Sequence, residues 1–216
     1  MNPGERMCLH SAARDLHSEF RGIFSGETIQ TLLFDSYAEL AASATVTRWL
    51  VLGSEQLARQ RLQAVARTHI PDGKEPAVLF VSEHNAGRSQ MALGWLTHLA
   101  PGRAVALSAG REPVLGIDPA VVAVMGEAGI DISGEFCRPC TDELVLAADV
   151  IVTMGCGCPL LPGRHYQDWE LDDPAGRTPA EIRSIRDEIR DRVINLIGVL
   201  PEARPACRRV AAKLPV

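Results

Sequence analysis

Ser82, Arg88 and Ser89 carry groups suited to holding an anion, and the pattern around them would gather all three at one point. Residues 78–92 read Val-Leu-Phe-Val-Ser-Glu-His-Asn-Ala-Gly-Arg-Ser-Gln-Met-Ala. Val78 to Val81 are four consecutive apolar residues, as expected of a buried parallel strand. From Ser89 the period changes. Ala92, Trp95, Leu96 and Leu99 recur at i, i+3, i+4 and i+7, one face of a helix. A strand that turns through the short loop from Ser82 to Arg88 into a helix aims backbone N–H groups and the positive helix end at one place. That arrangement suits a phosphate-like anion. Gly87 permits the tight turn or a close approach, and the Arg88 guanidinium can add a bidentate fork.

A second group of candidates lies downstream. Asp173 precedes Pro174, and on residue types alone that pair reads as a turn. Cys137 and Cys140 form Cys-x2-Cys, followed after fifteen residues by Cys156 and Cys158 as Cys-x-Cys. This is close to a four-thiolate zinc spacing, with the second pair one residue short of the usual knuckle. The same thiols could take trivalent arsenic or another soft ion. The lesser alternatives are free or redox-active thiols and, last, small buried hydrophobes. Cys8 and Cys207 stand alone.

Elements must position these residues. Three helices are expected before residue 72. His10 to Phe24 has Leu16, Phe20 and Ile23 at helical spacing. A second helix opens at Ser25-Gly26-Glu27, and a third runs from about Val46 to Thr68 with Trp49, Leu50, Leu57, Leu62 and Val65 on its apolar face. Gly53-Ser54 is a point where that third helix could break. The reading is a small helical domain over 1–72, a Pro/Gly-containing linker ending at 73–76, an α/β domain over 77–203 and a tail over 204–216. In the α/β part, strands at Ala77–Val81, Ala104–Ser108, Asp149–Met154 and, more weakly, Arg164–Trp169 alternate with helices. The helices are expected at Ser89–Leu99, Asp118–Ala128, Thr141–Ala147 and from Pro179 to about Leu200. Such alternation predicts a parallel sheet with helices on both faces and ligands at the carboxyl ends of its strands.

Composition narrows the rest. The chain has 216 residues, 46% of them hydrophobic, and a net charge of −5. No basic stripe interleaved with aromatics appears, which argues against nucleic acid, and Arg204, Arg208, Arg209 and Lys213 form only a sparse cluster. Neither a signal-peptide pattern over Met1 to Arg21 nor an apolar run long enough for a bilayer is present, so the expected setting is the cytoplasm, without a membrane. Thiols there stay reduced, which favours metal or redox roles for clustered cysteines.

The loop resembles the phosphate-binding loop of the low-molecular-weight tyrosine phosphatase and arsenate reductase superfamily. That pattern is Cys, five residues, Arg, then Ser or Thr, and His-Asn-Ala-Gly-Arg-Ser-Gln-Met-Ala is typical of the arsenate reductase branch. Here Glu83, His84, Asn85, Ala86 and Gly87 are the five residues, Arg88 the arginine and Ser89 the hydroxyl. The nucleophile's position falls on Ser82. Other blocks carry the resemblance further: Ser108-Ala109-Gly110, Gly129-Ile130-Asp131-Ile132-Ser133, Ala148 to Met154, and Asp168 to Gly176. The helical extension is similar to that of actinobacterial members, whose thiol partner is mycothiol.

The resemblance implies a three-layer α/β sandwich of about four parallel strands behind a small all-α domain. It also implies an oxyanion site for arsenate or phosphate over residues 82–89, with Asp173 as general acid and no required cofactor. Thiol-coupled reduction would draw on mycothiol, a glutaredoxin or mycoredoxin, or thioredoxin, with Cys156 and Cys158 as resolving thiols. In that cascade a thiolate attacks arsenate, a second displaces arsenite and a third closes a disulfide. A thiol at a helix N-terminus beside Arg ionises readily, whereas a hydroxyl there stays protonated and needs a base. Anion binding is therefore expected to survive Ser82, and thiolate chemistry is not. Two alternatives stand beside arsenate reduction: a non-catalytic protein holding an oxyanion and a soft ion such as zinc or arsenite, and a protein tyrosine phosphatase.

Overall fold

The computed structural model describes residues 1–43, 50–68, 75–114, 116–156 and 165–200. Three helices come first: α1 (Pro3–Glu19), α2 (Gly26–Ser43) and α3 (Leu50–Thr68). β1 (Ala77–Ser82), α4 (Arg88–Leu99), β2 (Val105–Gly110), α5 (Pro119–Glu127) and α6 (Asp142–Ala147) follow. The chain continues through β3 (Val150–Thr153), β4 (His165–Asp168) and α7 (Pro179–Val199).

The four strands make one parallel sheet in the order β2-β1-β3-β4. β1 is buried at every position, and the pleat sends alternate side chains to opposite faces. Val78 and Phe80 join Val150 and Val152 in a core built with α4, α5 and α7. Leu79, Val81 and Ile151 enter a second core against α6. The Phe80 ring lies 5.8 Å from that of Trp169, which fixes the residue that follows β4. Burying a ring of this size contributes about 1.5–3 kcal/mol. These layers are the expected sandwich.

The helical extension has its own core, in which Leu9, Leu16, Phe20, Ile29, Leu33 and Leu62 are buried. It also closes the sheet. Ala64 of α3 packs into the α6 core, the Arg61 guanidinium donates to Glu143 at 2.7 Å, and Arg67 pairs with Asp149 at 3.4 Å. The extension thus supplies part of one covering layer.

Several expected boundaries move for local reasons. α1 begins at Pro3, well before His10, because Asn2 and Glu5 form a capping box at its N-terminus. It stops at Glu19, so Ile23 falls in the following turn and is 49% exposed. α3 runs through Gly53-Ser54 unbroken, with the Ser54 hydroxyl donating to the Leu50 carbonyl. Trp49, the first half of the expected linker and the C-terminal tail lie outside the described residues. α5 keeps its expected start, Asp118 capping the helix through Ala120 N–H at 2.8 Å. No described helix is long and apolar enough to cross a membrane.

Candidate functional site

The site grows from the register of β1 with its neighbours. Ser82 pairs with Gly110 of β2, so the chain leaves both strands at the same level and the two exits run side by side. The outer segment then ties down the loop. The carbonyls of Ser82, Glu83, His84 and Ala86 accept from the N–H groups of Arg111, Glu112, Val114 and Asp118. The fifth, of Asn85, accepts from the Cys137 thiol at 3.2 Å. In a planar trans peptide the N–H points opposite to the C=O. Five consecutive carbonyls held outward therefore turn the N–H groups of residues 83–87 inward, as an anion-binding nest requires.

Asn85 is the pivot. It is fully buried and has a φ of 53°, the left-handed region that Asn tolerates better than most residues. Its Oδ1 accepts from Arg138 N–H at 3.0 Å and from Gln90 Nε2 at 3.1 Å. That pair of donors fixes the amide orientation, and Nδ2 donates to Ser89 Oγ at 2.9 Å. Burial pushes the Cys137 thiol up to about 11, so it stays protonated and serves as a donor to the loop.

Gly87 is the N-cap of α4 and offers no side-chain cap, leaving the helix start open to a ligand. Arg88 opens the helix. Its Nη2 donates to Asp173 at 2.9 Å and its Nη1 to the Leu171 carbonyl at 3.3 Å. Asp173 also accepts from Ala175 N–H at 3.0 Å, an Asx turn that settles the rotamer. Ser82 Oγ and Ser89 Oγ are 2.7 Å apart.

One open cleft collects these groups. Ser82, His84, Ala86, Gly87 and Arg88 form its loop side. Asp118, Asp173, Pro174 and Ala175 form the other. Asn85 and Ser89 stand behind it as supports, and Glu83 is not part of the lining. Asp118 was not singled out from sequence, where it reads only as a helix cap. Among the described residues no Phe, Tyr or Trp lines the cleft, whose one ring is that of His84.

The cysteines divide differently from expectation. Cys137 is bound behind the loop, whereas Cys140 and Cys156 pack in the core on the α6 side of the sheet. Cys156 donates its thiol to the Val81 carbonyl at 3.3 Å, one residue from Ser82. Among the described residues no group of three or more His, Cys, Asp or Glu side chains is gathered as a metal ion requires. The expected set of Cys137, Cys140, Cys156 and Cys158 is therefore not assembled by the three members described, and Cys158 lies outside the described residues.

Residues 77–158 match the family model for low molecular weight phosphotyrosine protein phosphatase. Residues 9–66 match the protein-tyrosine-phosphatase-like N-terminal domain. The thioredoxin-dependent arsenate reductase of Corynebacterium glutamicum is 39% identical and superposes with a TM-score of 0.76, over 87% of this chain and 94% of that one. This chain belongs to the low-molecular-weight phosphatase and arsenate reductase family. A glutaredoxin arsenate reductase from Synechocystis is 37% identical over 126 residues, 56% of this chain and 95% of the relative. A structure titled an arsenate reductase in the phosphate binding state is 35% identical, with a TM-score of 0.52, over 58% of this chain and 99% of that one.

Gly110 is packed directly against the loop. A Cβ there would meet Asn85 Cβ and Asn85 N at 2.9 Å and the His84 carbonyl carbon at 3.0 Å. Backbone cannot yield as a flexible side chain can. Gly110→Ala should cost about 1–3 kcal/mol of stability, the usual scale of overpacking. It should also weaken phosphate binding. Unchanged thermal stability and affinity would show that the loop is not packed against β2 as described.

Proposed function

We propose that this chain is an arsenate reductase-type protein whose loop binds arsenate or phosphate, and that Ser82 stands where the chemistry would require a thiol nucleophile. Family membership and the cleft formed by Arg88, Asp173 and the loop amides support the anion site. The observation that carries the second half is the environment of Ser82. It is buried, and among the described residues its hydroxyl has the neutral Ser89 hydroxyl as its one hydrogen-bond partner and no base touches it. Asp173 is held by Arg88 and Ala175, and the His84 ring is bonded to the Glu112 carbonyl. A serine without a base is a poor nucleophile.

In the reductase reading, electrons come from thiols, and the neighbour's thioredoxin dependence makes thioredoxin the first reductant to test, ahead of mycothiol with mycoredoxin or a glutaredoxin. Cys156, whose thiol donates to the Val81 carbonyl at 3.3 Å, is the first candidate for the resolving thiol. Cys158 is the other candidate. The expected result is binding of phosphate and arsenate by the chain as written, measured by calorimetry, without arsenate reduction in any of these coupled systems. Turnover at ordinary enzyme rates with Ser82 in place would refute the reading.

A further inference from the structure

The cleft has an ordered set of donors and acceptors, and their directions can be followed from a fixed point. Arg138 N–H and Gln90 Nε2 both donate to Asn85 Oδ1, so Asn85 Nδ2 must donate to Ser89 Oγ. Ser89 is fully buried, and among the described residues its Oγ has no acceptor in reach other than Ser82 Oγ at 2.7 Å. A buried hydroxyl left without an acceptor is costly. The Ser89 proton therefore goes to Ser82, which leaves the Ser82 proton to point into the cleft. Ser82 is thus a hydrogen-bond donor to whatever sits there, together with Arg88 and the inward N–H groups.

Acceptors are fewer. Both oxygens of Asp173 are engaged inside the protein, Oδ2 by Arg88 and Oδ1 by Ala175 N–H. Asp118 differs. Its Oδ1 caps α5 through Ala120 N–H, while Oδ2 has no partner among the described residues. Its backbone N–H is bonded to the Ala86 carbonyl, which anchors this half-buried residue to the loop, and the residue lines the cleft. The cleft thus combines several donors with Asp118, a lining residue whose carboxylate keeps one oxygen without a partner among the described residues.

Resting on the anion-site reading above, we infer that Asp118 makes the cleft selective for tetrahedral oxyanions that keep a proton, hydrogen phosphate and hydrogen arsenate, over sulfate. A hydrogen phosphate or hydrogen arsenate has an O–H to donate to Asp118 Oδ2. Sulfate at neutral pH has none, and it meets the carboxylate with an oxygen lone pair. A site built for a hydrogen bond discriminates strongly against an analogue that lacks the partner.

The test is calorimetric titration of the intact chain at neutral pH and matched ionic strength with inorganic phosphate, arsenate and sulfate. The same titrations follow on Asp118→Asn. Asparagine retains an oxygen to cap α5 and replaces Oδ2 by a donor, so the helix keeps its start. Asp118→Ser, also a good cap, serves as the second variant if the first is unstable. The expected result is a preference for phosphate and arsenate over sulfate on the order of 100-fold. In either variant it should shrink to about tenfold or less, with sulfate affinity rising in Asp118→Asn. Sulfate binding as tight as phosphate in the original chain overturns the inference while leaving the anion site standing. A wild-type ratio retained in both variants does the same. Failure of all three anions to bind overturns the anion-site reading and this inference with it.

Discussion

Ser82→Cys should turn an inert position into the most reactive thiol of the chain. The new sulfur would sit at the N-terminus of α4, beside Arg88 and a ring of inward N–H groups, with Ser89 donating to it where it now donates to Ser82. Each of these favours the thiolate, and such sites hold a cysteine below about 7.5 against an ordinary value near 8.5. Alkylation by iodoacetamide, mapped by mass spectrometry to separate the exposed Cys8, should reach half its maximal rate well below pH 8. Phosphate should protect the new site. Arsenate reduction with thioredoxin should appear only in this variant, by a factor of at least about 10³, the scale on which removing a nucleophile acts. Cys156 donates to the carbonyl of Val81, the residue before position 82, and is the proposed partner of the new sulfur. Labelling without reduction would mean that Cys156 and Cys158 are not competent to resolve the intermediate. A thiol titrating like a free cysteine would mean that residues 83–88 do not surround it as described.

The strand, loop and helix at residues 77–99 were legible because each has its own period and Gly87 marks the junction. The parallel sheet, though not its strand order, follows from the alternation of elements, and Asp173 could be placed only through the residues flanking it. Other features depend on contacts that sequence spacing does not encode. Arg61 and Glu143, or Arg67 and Asp149, are 82 residues apart, so docking of α3 against the sheet leaves no local mark. Asp118 looks like a helix cap and is one; its second oxygen becomes informative only when the loop is folded beside it. The early start of α1 was readable in Asn2-Pro3-Gly4-Glu5, a capping signature that its weak apolar stripe obscures. The cysteine pairs misled for a related reason. Regular spacing along the chain does not say which side of a sheet each thiol will occupy, and Cys137 is used to hold Asn85.

Arg88 lines the cleft and also holds Asp173, and that double duty sets the size of its expected effect. Its guanidinium spans Asp173 Oδ2 and the Leu171 carbonyl, tying the 171–175 segment to the cleft. Pro174 rests on Gly87 so closely that a Cβ on Gly87 would lie 2.5 Å from Pro174 Cγ. The Arg88 side chain is only 11% exposed, so its charge is poorly screened by water. Arg88→Ala removes a charge-assisted donor from the bound anion and should weaken phosphate and arsenate by about 1.5–3 kcal/mol, roughly ten- to hundred-fold in Kd. Arg88→Lys keeps the charge but not the fork, and should recover only part of the loss. If lysine restored full affinity, the guanidinium would act as a point charge and the contact with Asp173 would be incidental to binding. If alanine bound phosphate as tightly as the original chain, the loop amides alone would hold the anion. Arg88→Ala should also loosen the 171–175 segment, seen as faster amide exchange at Asp173 and Ala175, because the ion pair with Asp173 is gone, and Arg88→Lys should loosen it less.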